Sequence, residues 1–353
     1  MSDLNDNYRP PQPQDQGVDS QRSEGSVPDG TIVPAGMRMA PKPLSFGAAV
    51  AWCVAAGACA SLSPIIAPLF VGFAYTMLAC TGSIRERAIG AACLIVPAVV
   101  SVFFLRAAGY EDAVFACIVG ITASELYLAG KLTPSTACMS VAILSAVLFG
   151  VSEVFARAAG TTVSSIFTEA MDLYLAQLAD LPIEARALVE QMRVIVNAIW
   201  PAAFVMIAFA GFILAVGGSK VAARRQGAVV AGQVPLDQFD LPLWMVGCLI
   251  AAIVILALSQ AFPAYAPTLM MVGGTLLCSL RLAFATQGYA VLTWFRHNKR
   301  WYGLVGLAII VIAVYLEFNM FVLTIVGILD IWANLRHLSR GVRVTIQDST
   351  DRS

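Results

Sequence analysis

The residues best placed to do chemistry in this 353-residue sequence are charges set inside apolar runs. Arg281 lies near the middle of the run 268–294, too far from either end for its guanidinium to snorkel to a water layer. Such a residue costs about 3 kcal/mol at mid-bilayer on insertion scales, so it marks an ion pair, a polar pathway or a ligand site. Gly274 and Gly288 sit seven residues to each side, and Cys278 and Ala285 share the same helical face. That face is small enough for another helix to approach and shield the charge. Depth names the partners. Glu125, in 113–130, lies about two-thirds of the way towards the cytoplasm, and Asp330, in 319–335, lies at a similar level. Arg281 is expected to pair with one of them, either as a structural ion pair or as a site for an anion or polar solute. Glu153 and Glu317 fall near outer ends and are expected to reach headgroups.

Other chemistry lacks its residues. There is no GxxxxGK(S/T) loop, no HExxH and no GxSxG in the sequence. His297 and His337 both fall in basic ends, where solvated or headgroup-facing roles are expected. No two of the eight cysteines have CxxC spacing, and all fall in or beside apolar stretches, so buried unpaired thiols are expected. No catalytic residues, metal or cofactor are expected, and zero net charge supplies no global field for nucleic acid.

The elements that position Arg281, Glu125 and Asp330 follow from composition. The sequence is 59% hydrophobic and only 12% charged, about half the charged fraction of a soluble domain. A mean hydropathy of +0.78 over this length fits a chain whose surface faces lipid. Ten apolar runs occur, at 46–62, 65–81, 88–106, 113–130, 136–156, 196–217, 243–261, 268–294, 302–316 and 319–335. The expected fold is all-α: a polytopic membrane helix bundle of eight to ten spans over 46–340, between a polar disordered tail at 1–45 and a polar tail at 341–353. Ser61-Leu62-Ser63-Pro64 is expected to break the first pair of runs, and Glu317-Phe318-Asn319 to turn the last; a re-entrant hairpin at either place lowers the count. A signal peptide is not expected, because the acidic polar run before the first apolar stretch is too long.

Basic residues orient the bundle. Arg38, Lys42, Arg85, Arg87, Lys131, Lys220, Arg224, Arg225, Arg296, Lys299, Arg300, Arg336, Arg340 and Arg343 fall on one side. Opposite them lie Arg106, Arg157, Arg186 and Arg193. Both termini are therefore expected in the cytoplasm, with the chain in the cell membrane. The external segment 157–195 carries Val163, Ile166, Phe167, Ala170, Met171, Tyr174 and Leu178 at helical spacing. It reads as an amphipathic helix on the membrane surface or as a lid, with Pro182 opening a second short helix. Small-residue spacings at Ala51–Ala55 and Ala56–Ala60 make the first helix a candidate for close packing, within the chain or against another membrane subunit.

A family resemblance rests on the C-terminal third. Asp240-Leu241-Pro242-Leu243-Trp244, then Gln287-Gly288-Tyr289-Ala290-Val291-Leu292, then Gly327-Ile328-Leu329-Asp330-Ile331-Trp332-Ala333-Asn334-Leu335-Arg336 resemble the YybS-like family of bacterial membrane proteins. Asp330, Trp332 and Arg336 match that family's final-helix pattern, while Asn334 and Leu335 depart from it. The helix pattern is similar to the substrate-binding membrane components of energy-coupling-factor vitamin transporters. That likeness implies a small-solute-binding bundle whose first helix meets a separate coupling subunit. Two functions are thus expected to compete: a solute-binding or transport component using Arg281, Glu125 and Asp330, and a non-transporting scaffold or regulator whose charges only fix packing.

Overall fold

The computed structural model describes residues 45–338, apart from 62, 64, 81–82, 106–109, 178–182, 229, 231–233 and 302. Beyond Ser45, the tails expected at 1–45 and 341–353 lie outside the described residues, as does Pro182. Twelve α-helices are described: α1 Phe46–Cys59, α2 Ala67–Ala79, α3 Ile84–Leu105, α4 Tyr110–Leu128, α5 Pro134–Ala158, α6 Val163–Ala176, α7 Ile183–Ile199, α8 Ala202–Gln226, α9 Trp244–Ala261, α10 Ala266–Asn298, α11 Gly303–Met320 and α12 Val322–Ala333. No strand occurs among the described residues. Each of the ten apolar runs carries a helix, and α6 and α7 occupy the segment between the fifth and sixth runs. The chain is an all-α, multi-pass membrane helix bundle. Five helices are long and apolar enough to cross a bilayer: α5, α8, α9, α10 and α11. Helices α1, α2, α12 and the 113–128 part of α4 are apolar but shorter.

Burial is sorted by size. The enclosed side chains are largely small, with Ala49, Ala60, Ala74, Ala98, Ala123, Ala208, Ala215 and Ala252 all nearly inaccessible. Val96, Ile143, Val154, Ile250, Leu304, Val311 and Ile312 face outward. That distribution suits a lipid solvent, in which large apolar residues gain nothing by turning inward and small ones let backbones meet.

Two groups of helices follow. In the first, α2 packs against α1, α3, α4 and α8; in the second, α10 packs against α7, α9, α12 and the short 3-10 turn Leu236–Gln238. Each group is built around a parallel pair. Leu69 meets Gly218, Gly72 accepts from Ser219, and the Met77 carbonyl accepts from Gln226, so contacts advance the same way along α2 and α8. A Cβ added at Gly72 would fall on the Ala215 carbonyl oxygen, and one at Gly218 on that of Leu69. Similarly, a Cβ at Gly288 would strike the Leu323 carbonyl oxygen, and one at Gly327 that of Phe284.

The expected break after the first run is present, with α1 ending at Cys59 and the Ser63 carbonyl accepting the Ala67 N–H at the start of α2. The second expected turn lies later than the sequence suggested. Helix α11 runs through Glu317-Phe318-Asn319 to Met320, and the chain turns at Phe321, whose φ is 54°. The Asn319 side chain donates to the Tyr315 carbonyl inside the helix and so does not break it. Helix α12 has 12 residues and is about 18 Å long, well short of a hydrocarbon core of about 30 Å.

Candidate functional site

Helix α10 is continuous for 33 residues, longer than its apolar run, and Arg281 sits at its middle. The partner is Glu317 of α11, not Glu125 or Asp330. Arg281 Nε donates to Glu317 Oε1 at 3.2 Å, and Nη2 donates to the Glu317 carbonyl at 3.0 Å. The guanidinium carbon also lies 4.1 Å from the centroid of the Phe321 ring, within cation–π range. Glu317 does not reach towards headgroups. Its Oε2 accepts the Thr324 N–H at 2.9 Å, and Oε1 accepts the Thr324 hydroxyl at 2.7 Å. Its carboxylate thus serves the first turn of α12, where unpaired N–H groups and the helix dipole favour negative charge. Arg281 meanwhile meets the carbonyl end of α11, where the dipole favours a cation. Glu317 is largely enclosed, but 35% of the Arg281 side chain stays accessible, and its Nη1 has no partner among the described residues.

Asp330 belongs to a second cluster at the other end of the α10–α12 contact. Arg336 donates through Nε and Nη2 to Asp330 Oδ2, at 3.2 and 2.8 Å, and through Nη1 to the Asp237 carbonyl at 2.8 Å. Gln287 of α10 donates to Asp330 Oδ2 at 2.8 Å and to Asp240 Oδ1 at 3.1 Å. Its own carbonyl accepts the Leu241 N–H. The Arg336 and Asp330 side chains are both fully enclosed. This network stitches α10, α12 and the segment before α9 together.

Glu125 belongs to a third cluster, in the first helix group. It accepts Arg87 Nη1 of α3 at 2.8 Å and the Tyr75 hydroxyl of α2. At the residue preceding Glu125 in α4, the Ser124 hydroxyl lies 2.9 Å from that of Ser219, each also within reach of the Gly72 carbonyl.

The three residues singled out from sequence therefore form no single site. Arg281 and Asp330 lie at two levels of one helix pair, and Glu125 lies in the other group. The neighbours that the structure brings to these three charges are Glu317, Arg87 and Arg336, which the sequence placed in other roles, and Gln287 and Tyr75, to which it gave none. Gln287 was detectable as an amide beside Gly288 inside an apolar run, but a search restricted to ionisable residues passes over it.

In the segment 157–195, α6 has no buried residue, yet Phe167 stacks on Trp200 at 5.8 Å between ring centroids. Arg193 of α7 bonds Asp172 of α6 at 3.0 Å. On the first helix, Ala56 and Ala60 are buried with Gly57 against the Leu94 carbonyl, whereas Ala51 and Ala55 are exposed. Half of the small-residue surface offered to a partner is thus taken up within the chain. All eight cysteines are unbonded thiols.

A family model described as "Predicted membrane protein (DUF2232)" matches residues 54–331. No curated protein and no solved structure gives a significant match.

Proposed function

The chain belongs to the DUF2232 family of predicted membrane proteins, and from that premise we propose that it binds a small polar solute at Arg281 within a multi-pass bundle of the cell membrane. One observation carries the reading: a mid-helix guanidinium that keeps 35% of its side chain accessible and one nitrogen free among the described residues. The same chain contains a built comparison. Arg336 spends all three nitrogens on protein acceptors and is wholly enclosed, as a purely structural charge is expected to be. Arg281 is left with a donor to offer, at a depth where an uncovered charge costs about 3 kcal/mol. A polar ligand or water pathway supplies the missing partner. The resemblance read from the C-terminal sequence motifs, to YybS-like proteins and in helix pattern to solute-binding components of energy-coupling-factor transporters, points the same way. The one-sided distribution of Lys and Arg supports a cytoplasmic position for both termini.

A second reading has its own support. The enclosed Asp330–Arg336–Gln287 network fits a scaffold whose buried charges fix helix packing, and that cluster is assigned no solute.

Thiol accessibility tests the proposal. Cys278 lies three residues before Arg281 and therefore on the same helical face, and it is partly exposed. A chain keeping Cys278 as its only cysteine retains Arg281 and Glu317 intact. Labelling by a small membrane-impermeant thiol reagent from one side of the membrane supports a polar pathway, because the reactive thiolate needs water. If Cys278 stays unlabelled from both sides while a loop cysteine reacts, Arg281 is structural and the scaffold reading takes over.

A further inference from the structure

We propose that Arg281, the Thr324 hydroxyl and the Thr324 N–H form a receptor for a carboxylate, which Glu317 occupies from within the chain and yields to a solute carboxylate on taking up a proton. The inference rests on the solute-site reading and names its ligand class and its coupling.

The occupant itself indicates the class. Both oxygens of the Glu317 carboxylate are engaged: Oε1 by Arg281 Nε at 3.2 Å and the Thr324 hydroxyl at 2.7 Å, Oε2 by the Thr324 N–H at 2.9 Å. Those three donors come from α10 and α12, whereas the acceptor comes from α11. All three donors to the carboxylate therefore lie off the helix that supplies its present occupant, and only Arg281 Nη2, bonded to the Glu317 carbonyl, ties the receptor to α11. Its two walls are held together by the Gly288 and Gly327 backbone contacts, so α10 and α12 behave as one unit. Helix α11 packs chiefly on α12, and Glu317 lies four residues before the left-handed turn at Phe321, with Gly303 at φ 69° at the other end. A rotation of α11 about those two ends withdraws Glu317, leaves both Thr324 donors in place and frees Arg281 Nη2 from the Glu317 carbonyl. Arg281 Nη1, which has no partner among the described residues, adds a fourth donor for an arriving anion.

Charge accounting requires the proton. A second carboxylate beside an ionised Glu317 would leave two negative charges facing one guanidinium at mid-span, and like charges so placed do not both stay ionised. Glu317 therefore leaves as the neutral acid, the solute arrives as its anion, and Arg281 stays charged throughout. One proton enters with each carboxylate, and the site's net charge is unchanged. Few other groups compete for it. The titratable groups of α10 are Cys278, Arg281, Tyr289, Arg296 and His297, the last two at its far end. Helix α12 contributes only Asp330, six residues beyond Thr324 and bonded to Arg336, and α11 adds Tyr315.

The test uses the full chain, purified in detergent, with benzoate as probe and inorganic phosphate as control. Benzoate in weak buffer is expected to draw about one proton per bound anion, read with a pH indicator. It is also expected to raise a protonated-carboxyl band in the infrared difference spectrum that is missing in Glu317→Gln. That variant, permanently neutral, is expected to bind benzoate at neutral pH about tenfold more tightly than the parent, without proton uptake. Arg281→Gln is expected to lose binding altogether. If Glu317→Gln is destabilised and gains no benzoate binding, Glu317 is only a hairpin clasp and the proposal is overturned. Absence of proton uptake and of the infrared band in the parent chain overturns it independently of any variant. Should Cys278 prove open to water while benzoate produces neither signal, the exchange fails but the solute site stands. A Cys278 closed from both sides removes both.

Discussion

Arg336 gives the sharpest energetic prediction. Its side chain is wholly enclosed, 2.8 Å from an equally enclosed Asp330 oxygen. At that separation and an effective dielectric constant of about 20, the gross attraction is about 6 kcal/mol. Desolvation of the two ions offsets several kcal/mol of it, so the pair itself is worth little net. Removing one member is another matter. Arg336→Met leaves Asp330 enclosed with Gln287 as its neutral donor, and such broken pairs typically cost about 3–5 kcal/mol. Asp330→Leu is expected at the lower end of that range, because Asp240 Oδ1 lies 3.8 Å from Arg336 Nη2 and takes up part of the charge. The double variant, Asp330→Leu with Arg336→Met, is expected to be more stable than either single one. The assay is reversible unfolding in mixed micelles titrated with a denaturing detergent, run as a double-mutant cycle. A coupling of about 2 kcal/mol or more supports the network. If Arg336→Met costs less than about 1 kcal/mol, or the two losses simply add, the cluster does not hold α12 in place and the reasoning is wrong.

Three further outcomes are expected. Gly218→Val drives a side chain into the Leu69 carbonyl, so α2 and α8 must separate; a loss of roughly 2 kcal/mol or more, or failure to accumulate in the membrane, is expected by thermal unfolding and yield, whereas an unchanged midpoint rejects the close approach. Trp200→Ala removes ring contacts to Phe149, Phe167 and Phe204 and is expected to cost about 3 kcal/mol and to speed proteolysis of the α6–α7 segment from outside intact cells; equal cleavage rates count against the anchoring role. Lys131→Cys is expected to react only from the cytoplasmic side and Ser164→Cys only from the opposite one, and reversed labelling overturns the assigned orientation.

The sequence reveals the bundle through its apolar runs, because a bilayer imposes a length on every span and forbids exposed backbone within it. It is weaker where that constraint relaxes. The run 302–335 looked like two spans with a turn at its only polar triplet, Glu317-Phe318-Asn319, but a helix can keep such residues if their side chains find partners. Glu317 finds Arg281 and the N–H and hydroxyl of Thr324, Asn319 finds the Tyr315 carbonyl, and the turn moves on to Phe321. The same effect misled the search for the Arg281 partner. Depth was counted from helix ends, whereas α10 extends past its apolar run and α12 is only 12 residues long, so levels on neighbouring helices did not match the count. Arg87 and Arg336 were read as members of basic cytoplasmic ends, since composition does not distinguish a solvated cation from one folded back on an acid.

The parallel α2–α8 contact carries a consequence for biogenesis. The surface of Gly72 that must accept Ala215 leaves the ribosome long before α8 does, with α3 to α7 made in between. Until α8 arrives, that bare backbone ridge rests against lipid or against the insertion machinery, and the first helix group has no closed form. Helices α10 and α12 are separated by α11 alone and seal their glycine contact almost as soon as they are made. Completion of the first group therefore awaits α8, its last member, and chains truncated before α8 are expected to lack that group's closed form.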